Sequence, residues 1–293
     1  MITVPEVFAR ATVAREGDAG RAWIAALPDL VEDLCERWNL ALDGPPMHGY
    51  LSLVVPVRRR DEPCVLKLSW AGESATGEAA ALSAWDGRGA VRLLEVEPSL
   101  DALLLERLDG SRSLSDVGIE EAISIAGSLL RRLAIPAPAG VRSLRTVAEE
   151  LRRDLPDRWE RYGRPIPRRW LDQARELASR LEASSGALLV NYDLHYADVL
   201  ASEREPWLVV DPKVVAGDPE FGVAQLLWRR LEEIEARGGL HHHLHLLAEA
   251  AELDPTLARA WTVVRCVDYW LWGVSAGLTY DPARCERIIS RLV

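Results

Sequence analysis

The main change in the spacing of hydrophobic residues lies close to residue 110. Before that point, most apolar residues outside two helical segments come in short runs of strand length, which are separated by polar turns. After it, they recur every three or four positions, which is the spacing of helices with one buried face. The pattern therefore predicts an α+β protein with two lobes, a small mixed β lobe over residues 1–108 and a larger helical lobe over residues 109–293.

The first lobe is predicted to open with an amphipathic helix from about Ala19 to Trp38, in which Pro28 is expected to cause a kink or a split. A second helix is predicted over Glu73–Trp85. Pro56 lies in an apolar run and indicates an edge strand or a bulge, because proline has no N–H to donate to a sheet. The predicted strands are Leu53–Arg58, Cys64–Trp70, Val91–Glu97 and Ala102–Leu108.

Helical spacing continues through most of the second lobe. Asp254-Pro255 and Asp281-Pro282 each combine a capping aspartate with a proline, which is typical of the first residues of a helix. The other predicted helices are Ile119–Leu133, Leu144 to near Pro156, Arg168–Ala183, Pro219–Ala236 and Leu240–Leu253.

A hairpin interrupts the helical lobe. The apolar run Ala187–Val190 leads into a polar stretch, and Trp207–Val210 is predicted as the second strand after a polar turn. This hairpin is expected to bring three carboxylates together, those of Asp193, Asp198 and Asp211. Three acids at buried strand ends repel one another and are costly to remove from water. A divalent cation is the usual compensation, and oxygen ligands suit magnesium.

The sequence of the hairpin resembles the catalytic and metal-binding motifs of kinase-like phosphotransferases that act on small molecules. Their motif is H-G-D-L-H-x-x-N-V-L, followed by I-D-P-K-x-x-x-G-D-P. Here the matching stretches are Asn191–Leu200, Val210–Lys213 and Gly217–Pro219. With further similar stretches elsewhere, the chain is identified as a member of the aminoglycoside/hydroxyurea antibiotic resistance kinases, most like the streptomycin 6-kinase group.

Three positions depart from that family's pattern. Asn191 stands in place of the leading histidine, and Asp198 replaces the asparagine that binds metal. Gly222 lies where the family often has aspartate. All three lie in or near the predicted site.

The resemblance implies a two-lobed protein-kinase-like fold, with ATP and Mg²⁺ as cofactors. Asp193 would be the catalytic residue, and Asp198 and Asp211 would bind the metal. His195 would brace the loop. The resemblance also assigns nucleotide-binding residues in the first lobe, namely Gly49 and Ser52 at the phosphates, Lys67 with its partner Glu78, and the backbone of Glu106 and Leu108 at the adenine.

Lys67 is notable without the resemblance, because it lies in the middle of an apolar strand. One explanation is an edge strand that is protected from aggregation by a charge. The other is a lysine that binds nucleotide phosphates and needs a carboxylate to fix it. Glu73 competes with Glu78 for that second position.

Composition narrows the class of ligand. The chain of 293 residues has 45 acidic and 35 basic residues and a net charge of −10, which argues against nucleic acid or anionic membranes as partners and suits a cationic small molecule. Asp218, Glu220 and Asp268 are the candidate substrate ligands.

The cellular location is predicted to be the cytoplasm. The chain has four separated cysteines, no apolar run of membrane-spanning length and no signal-peptide pattern.

Other functional motifs are missing or weak. The chain has neither the G-x-S-x-G of serine hydrolases nor a G-x-x-x-x-G-K-[ST] phosphate loop. The histidine-rich stretch His241–His245 is interpreted as a solvated helix face.

The expected function is phosphorylation of an aminoglycoside hydroxyl, which confers antibiotic resistance. The alternatives are a kinase for hydroxyurea, a peptide antibiotic or an amino sugar, or a catalytically weak protein that binds nucleotide or antibiotic.

Overall fold

The structure is a computed structural model that describes residues 2–70, 73–182 and 186–293, with the backbone alone for residues 73–76. The side chain of Glu73, the alternative partner of Lys67, therefore lies outside the described residues. The chain divides into two compact units, Met1–Asp109 and Gly110–Val293.

The first unit is an antiparallel sheet with a long helix packed against it. Its helices are α1 (Glu6–Trp38) and α2 (Glu73–Trp85), and its strands are β1 (Leu40–Leu42), β2 (Met47–His48), β3 (Ser52–Arg59), β4 (Glu62–Ser69), β5 (Leu93–Glu97) and β6 (Ala102–Glu106). The sheet has the order β1-β3-β4-β6-β5, with β2 paired to β3.

Helix α1 starts earlier than its hydrophobic pattern predicts, at Glu6 instead of near Ala19. The break in its backbone lies at Gly17, where φ is 65°, and Pro28 lies within the helix. Leu27 and Leu34 are fully buried against the sheet. Burial of each such leucine stabilises the unit by about 1.5–3 kcal/mol.

Alternation along β4 places its side chains on opposite faces of the sheet. Leu66 and Leu68 belong to the core that α1 covers, while Lys67 lies between them in sequence and points the other way. Strand β4 pairs with β3 on one side and β6 on the other. The interpretation of Lys67 as the guard of an edge strand is therefore wrong.

Pro56 also lies inside the sheet, so the expectation of an edge strand or a bulge is wrong. Its carbonyl accepts a hydrogen bond from Asp43 N at 2.9 Å, which shows that this side of the residue faces the segment between β1 and β2. The missing N–H thus falls in the gap between the two short strands, where no ladder hydrogen bond is lost.

The second unit is mainly helical. Its strands are β7 (Asp109–Ser113), β8 (Leu188–Asn191), β9 (Val199–Ala201), β10 (Trp207–Val209) and β11 (Val214–Gly217). Among the described residues they form two small sheets, β11-β8 and β10-β9-β7, in which the β11–β8 and β10–β9 pairs are antiparallel. Its helices are α3 (Ile119–Leu133), α4 (Leu144–Arg161), α5 (Arg168–Glu182), α6 (Ala224–Trp228), α7 (Leu231–Ala236), α8 (Gly239–Ala251), α9 (Pro255–Ser275) and α10 (Tyr280–Leu292).

One difference between the predicted and observed helices lies at a proline. Helix α4 continues through Pro156 to Arg161 instead of ending there. Pro156 has no N–H for the carbonyl of Arg152, four residues earlier. Arg175 Nε of α5 donates to that carbonyl oxygen at 3.3 Å, which replaces the missing helical donor.

Three further predictions for this unit have different outcomes. Asp254 caps α9 as expected, because its Oδ1 accepts from Thr256 N at 2.7 Å. Helix α10 begins at Tyr280, so Asp281 is not its N-cap. The predicted helix over 219–236 is a short 3₁₀ turn followed by α6 and α7.

The histidine-rich stretch forms part of α8, and one of its residues departs from the predicted solvated face. His243 is fully buried, and its Nδ1 lies 2.9 Å from Gly239 O. In the described part of the chain, no group of three or more His, Cys, Asp or Glu side chains is placed to hold a metal ion. None of the described helices is long and apolar enough to cross a membrane.

Candidate active site

Two strand pairs bring the predicted catalytic segments together. In the β9–β10 hairpin, Val199 pairs with Val209, and Val210 N donates to Asp198 O at 2.8 Å. This register places Asp198 beside the segment that carries Asp211. Asp211 has a φ of 49°, in the left-handed region that aspartate tolerates better than most residues.

The second pair differs from the sequence prediction. Strand β8 does not form a hairpin with β10 but pairs with β11, so that Asn191 lies opposite Val214. Tyr192 N also donates to Lys213 O at 2.9 Å. Asp193 therefore emerges next to Lys213. The expectation of one hairpin is wrong, because each strand of the predicted pair finds its partner in a different short strand.

Asp193 is held through both of its carboxylate oxygens. Lys213 Nζ donates to Oδ2, and Gln225 Nε2 of α6 donates to Oδ1. The Asp193 side chain is 18% exposed, and that of Lys213 is 34% exposed. The fold thus fixes the direction of the carboxylate and still leaves the pair accessible.

The charge of Lys213 decides the ionisation of Asp193. Burial alone would raise the pKa of this carboxyl. The Lys213 ammonium outweighs burial through its charge and its hydrogen bond, and Arg265 and His195 act in the same direction. The pKa of Asp193 therefore lies below its usual value, and this residue is an anion at neutral pH.

Asp198 has the opposite shift. Burial raises the pKa of its carboxyl, and the negative charges of Asp211 and Asp193 raise it further. His195 Nε2, 3.0 Å from Asp198 Oδ2, opposes the shift. A cation would relieve the repulsion between this partly buried carboxylate and the charges of Asp211 and Asp193.

The structure gives a reason for two of the departures from the family motif. The Oδ1 atom of Asn191 accepts from Asp193 N at 3.2 Å and from Lys213 N at 3.3 Å, and so links the two loops. A Cβ atom on Gly222 would lie 2.7 Å from Asn191 O. A side chain at position 222 would therefore collide with the backbone that precedes Asp193.

Arg265 is a site residue that the sequence analysis missed. This arginine of α9 is only 7% exposed and donates to Tyr192 O at 3.0 Å. Its guanidinium lies 4.6 Å from the ring centre of Phe221 and 5.2 Å from that of Tyr192. Cation–π contacts compensate its burial. The sequence could have indicated this residue, because it is a charged residue within the apolar run 261–267.

Gln225 and Lys213 were also without a predicted role. Gln225 was detectable as a polar residue within the apolar run 223–228. Lys213 belongs to the quoted motif, but a sequence match does not say what its ammonium contacts.

In the first unit, Lys67 and Glu78 form the predicted pair. Lys67 Nζ donates to Glu78 Oε2 at 2.5 Å, and the two side chains are 5% and 4% exposed. The pairing is confirmed, and its part in nucleotide binding stays a prediction.

The other predicted nucleotide-binding residues lie in the strands of the same sheet or directly beside them. Gly49 N donates to Ser52 O at 2.9 Å, which closes the turn from β2 to β3. The N–H of Glu106 donates to Arg92 O at 3.1 Å, so this group is engaged within the unit. Leu108 follows β6 and is half-buried. The adenine contacts stay a prediction.

The three predicted substrate ligands are held in different ways. Asp218 accepts from Gly186 N at 2.6 Å and from Trp261 Nε1 at 3.2 Å. Glu220 accepts from Asp254 N at 3.1 Å. Both are buried and brace the fold, whereas Asp268 pairs with Arg158 at 2.5 Å and is 31% exposed.

Comparison with known proteins gives extensive similarity. The sequence profile of the aminoglycoside/hydroxyurea antibiotic resistance kinase family matches residues 37–277. A streptomycin 6-kinase of Streptomyces glaucescens is 38% identical over 97% of this chain and 95% of its own length. A hydroxyurea phosphotransferase of Kitasatospora aureofaciens is 39% identical over 97% of this chain and 84% of its own length.

Solved structures share the fold. A thermostable mutant of an aminoglycoside phosphotransferase, in complex with ADP and hygromycin B, has a TM-score of 0.61 and 15% identity, covering 88% of this chain and 97% of that chain. Choline kinase LicA from Streptococcus pneumoniae has a TM-score of 0.60 and 14% identity, covering 89% and 98%.

The fold is thus the predicted protein-kinase-like one, with a mixed sheet unit followed by a helical unit. The family match extends over both units and includes the segments of Lys67, Asp193 and Asp211. The chain belongs to the aminoglycoside/hydroxyurea antibiotic resistance kinase family and, as a member of it, is a phosphotransferase.

Proposed function

We propose that the chain transfers the γ-phosphoryl group of ATP, with Mg²⁺, to a hydroxyl of a streptomycin-like aminoglycoside and so confers resistance. The observation that carries this proposal is the arrangement of Asp193, Asp198 and Asp211 at the ends of two strand pairs. The substrate class follows from the streptomycin 6-kinases of Streptomyces glaucescens and Streptomyces griseus, which are 38% and 40% identical to this chain.

A site with two carboxylates suits Mg²⁺ better than it suits a metal ion that is coordinated by protein ligands alone. Mg²⁺ usually takes one or two carboxylates, with water and substrate phosphates completing its shell. Asp198 and Asp211 would supply those two carboxylates. When bound, the ion would neutralise charge on the nucleotide phosphates.

Asp193 orients the acceptor hydroxyl and receives its proton. Its low pKa makes it a weak base, so the proton moves late, after the bond to the leaving phosphate has largely broken. Lys213 and Gln225 hold its two oxygens in fixed directions, and Asn191 and Arg265 fix the backbone beside it. Most of its contribution is therefore positioning.

Asp268 is the favoured contact for a cationic group of the substrate. It is the most exposed of the three candidate acids, and its partner Arg158 is a surface-accessible side chain that an antibiotic cation would compete with. Asp218 and Glu220 are candidates that would have to give up internal hydrogen bonds. The enzyme acts in the cytoplasm, where its four cysteines stay free thiols.

Hydroxyurea is the second candidate substrate, because the hydroxyurea phosphotransferase is as similar to this chain as the streptomycin 6-kinases. The test incubates the protein with Mg²⁺-ATP and a panel of aminoglycosides, hydroxyurea and peptide antibiotics. Mass spectrometry then detects the addition of one phosphoryl group. Modification of streptomycin alone supports the proposal, modification of hydroxyurea alone favours the alternative, and nucleotide binding without any product supports a binding protein.

A further inference from the structure

Lys213 is the feature of the site that the proposed mechanism uses least. Its ammonium has three N–H donors, and the contact described for it is a single hydrogen bond, to Asp193 Oδ2. One-third of its side chain is exposed. The ammonium can therefore keep its bond to Asp193 and still offer donors to a ligand.

The negative charges around this lysine create a problem for a phosphoryl donor. Asp193 and Asp211 both act electrostatically on Asp198, and both act on Lys213, whose ammonium donates a hydrogen bond to Asp193. If Asp193 holds the acceptor hydroxyl, the γ-phosphoryl group must come next to it. The carboxylate then repels the phosphoryl oxygens unless a cation lies between them.

Among the described side chains that lower the pKa of Asp193, the two other cationic groups are less suited to this position. Arg265 is only 7% exposed, lies among aromatic rings and donates to a backbone carbonyl. His195 is engaged with Asp198. Lys213 combines contact with Asp193 and access from solvent.

We propose that Lys213 is a further catalytic residue, which binds the γ-phosphoryl oxygens of ATP beside Asp193 during transfer. This inference rests on the proposed function. The acceptor oxygen forms a bond to the γ-phosphorus, and the bond from that phosphorus to the β–γ bridging oxygen breaks. ADP leaves with the electron pair, and the hydroxyl proton goes to Asp193. Lys213 stays an ammonium and contributes charge alone.

The test compares nucleotides with and without a γ-phosphate. Calorimetry with Mg²⁺ measures the Kd of ADP and of a non-hydrolysable ATP analogue for the wild type and for Lys213→Met. The analogue is expected to bind about 10- to 100-fold more weakly to the variant, as for a lost hydrogen bond to a charged group. ADP affinity is expected to stay within about 2-fold, and a thermal melt checks that the variant folds.

Two matched variants distinguish direct binding of the γ-phosphoryl group by Lys213 from neutralisation of the Asp193 charge alone. If Lys213 only neutralises Asp193, the double variant Lys213→Met with Asp193→Asn will recover affinity for the analogue, and the proposal is then overturned. We expect the loss to persist. Lys213→Arg keeps the charge and is expected to retain most of the affinity.

The outcomes also separate this inference from the proposed function. A wild-type protein that binds both nucleotides, with a Lys213→Met variant that binds the analogue equally well, overturns the role of Lys213 alone. A wild-type protein that binds neither nucleotide overturns the proposed function as well. Selective loss of the analogue supports both.

Discussion

Each unit of the molecule contains a lysine–carboxylate pair near its predicted chemistry, and the two pairs differ in their access to water. Lys67 and Glu78 are 5% and 4% exposed, whereas Lys213 and Asp193 are 34% and 18% exposed. A buried pair cannot separate without leaving a charge in a dry environment. A partly exposed pair can exchange partners at lower cost. The first pair is therefore suited to a fixed position, and the second to a changing set of contacts.

The largest expected effect comes from removing the carboxylate of the partly exposed pair. Asp193→Ala should lower turnover by roughly 10²- to 10⁴-fold, the range for a positioned acid–base group, while costing less stability than the loss of a carboxylate from the buried pair. Steady-state kinetics and a urea melt measure the two effects. Asp172→Ala, which removes an exposed carboxylate of α5, is the control. Near-wild-type turnover in Asp193→Ala would exclude this residue from the mechanism.

Removing the carboxylate of the buried pair should lower stability more than the loss of Asp193 does. Glu78→Ala is expected to cost about 3–5 kcal/mol of stability, because it leaves the Lys67 ammonium buried without this partner. The matched control is Glu95→Ala, which breaks the more exposed pair with Arg59 in the same sheet and should cost at most about 1 kcal/mol. Equal losses in urea melts of the two variants would contradict the proposed difference between buried and exposed pairs.

Substitutions of Asp198 test whether its carboxylate is a metal ligand and whether its negative charge affects the dependence on Mg²⁺. Asp198→Ala should lower activity by more than the roughly 10- to 100-fold that loss of an outer-shell partner costs, because a ligand itself is removed. Asp198→Asn should keep or raise activity and make it depend less steeply on free Mg²⁺, since an amide oxygen is neutral. Turnover measured over a range of Mg²⁺ concentrations distinguishes these outcomes. Full activity in Asp198→Ala would show that this residue is not a ligand.

The smallest expected effect concerns an exposed ion-pair network. Hydrogen bonds from Arg284 lower the pKa of Glu232 to about 2 from its usual 4.5, with Arg287 adding to the shift. The folded-state pKa is depressed, so the stabilisation is present above about pH 4.5 and is lost as the pH falls towards 2. Because the side chain is 41% exposed, solvent screening reduces the contribution to about 0.5–1 kcal/mol.

Glu232→Gln should therefore lower the free energy of unfolding at pH 7 and match the wild type near pH 2. Urea melts at the two pH values check this. A difference that is unchanged at pH 2 would mean that the carboxylate charge is not what stabilises α7 against α10.

Several features of the site were predictable from residue order. The apolar strand around Lys67 and the start and end of α2 at Glu73 and Trp85 agree with the structure. Both are local patterns, since strand and helix periods depend on near neighbours. The distances between Asp193, Lys213 and Gln225 depend instead on strand pairing and helix packing between segments up to 32 residues apart. No local period contains that information.

The sequence by itself determined the family, the α+β class and the acids that the hairpin segments would carry. Only the tertiary structure decided that β8 pairs with β11, that Asn191 links the two loops, and that Arg265 lies buried beside Tyr192. The physical reason is that a carboxylate's ionisation and orientation depend on which charges and donors surround it. Those neighbours come from distant parts of the chain, and folding alone brings them together.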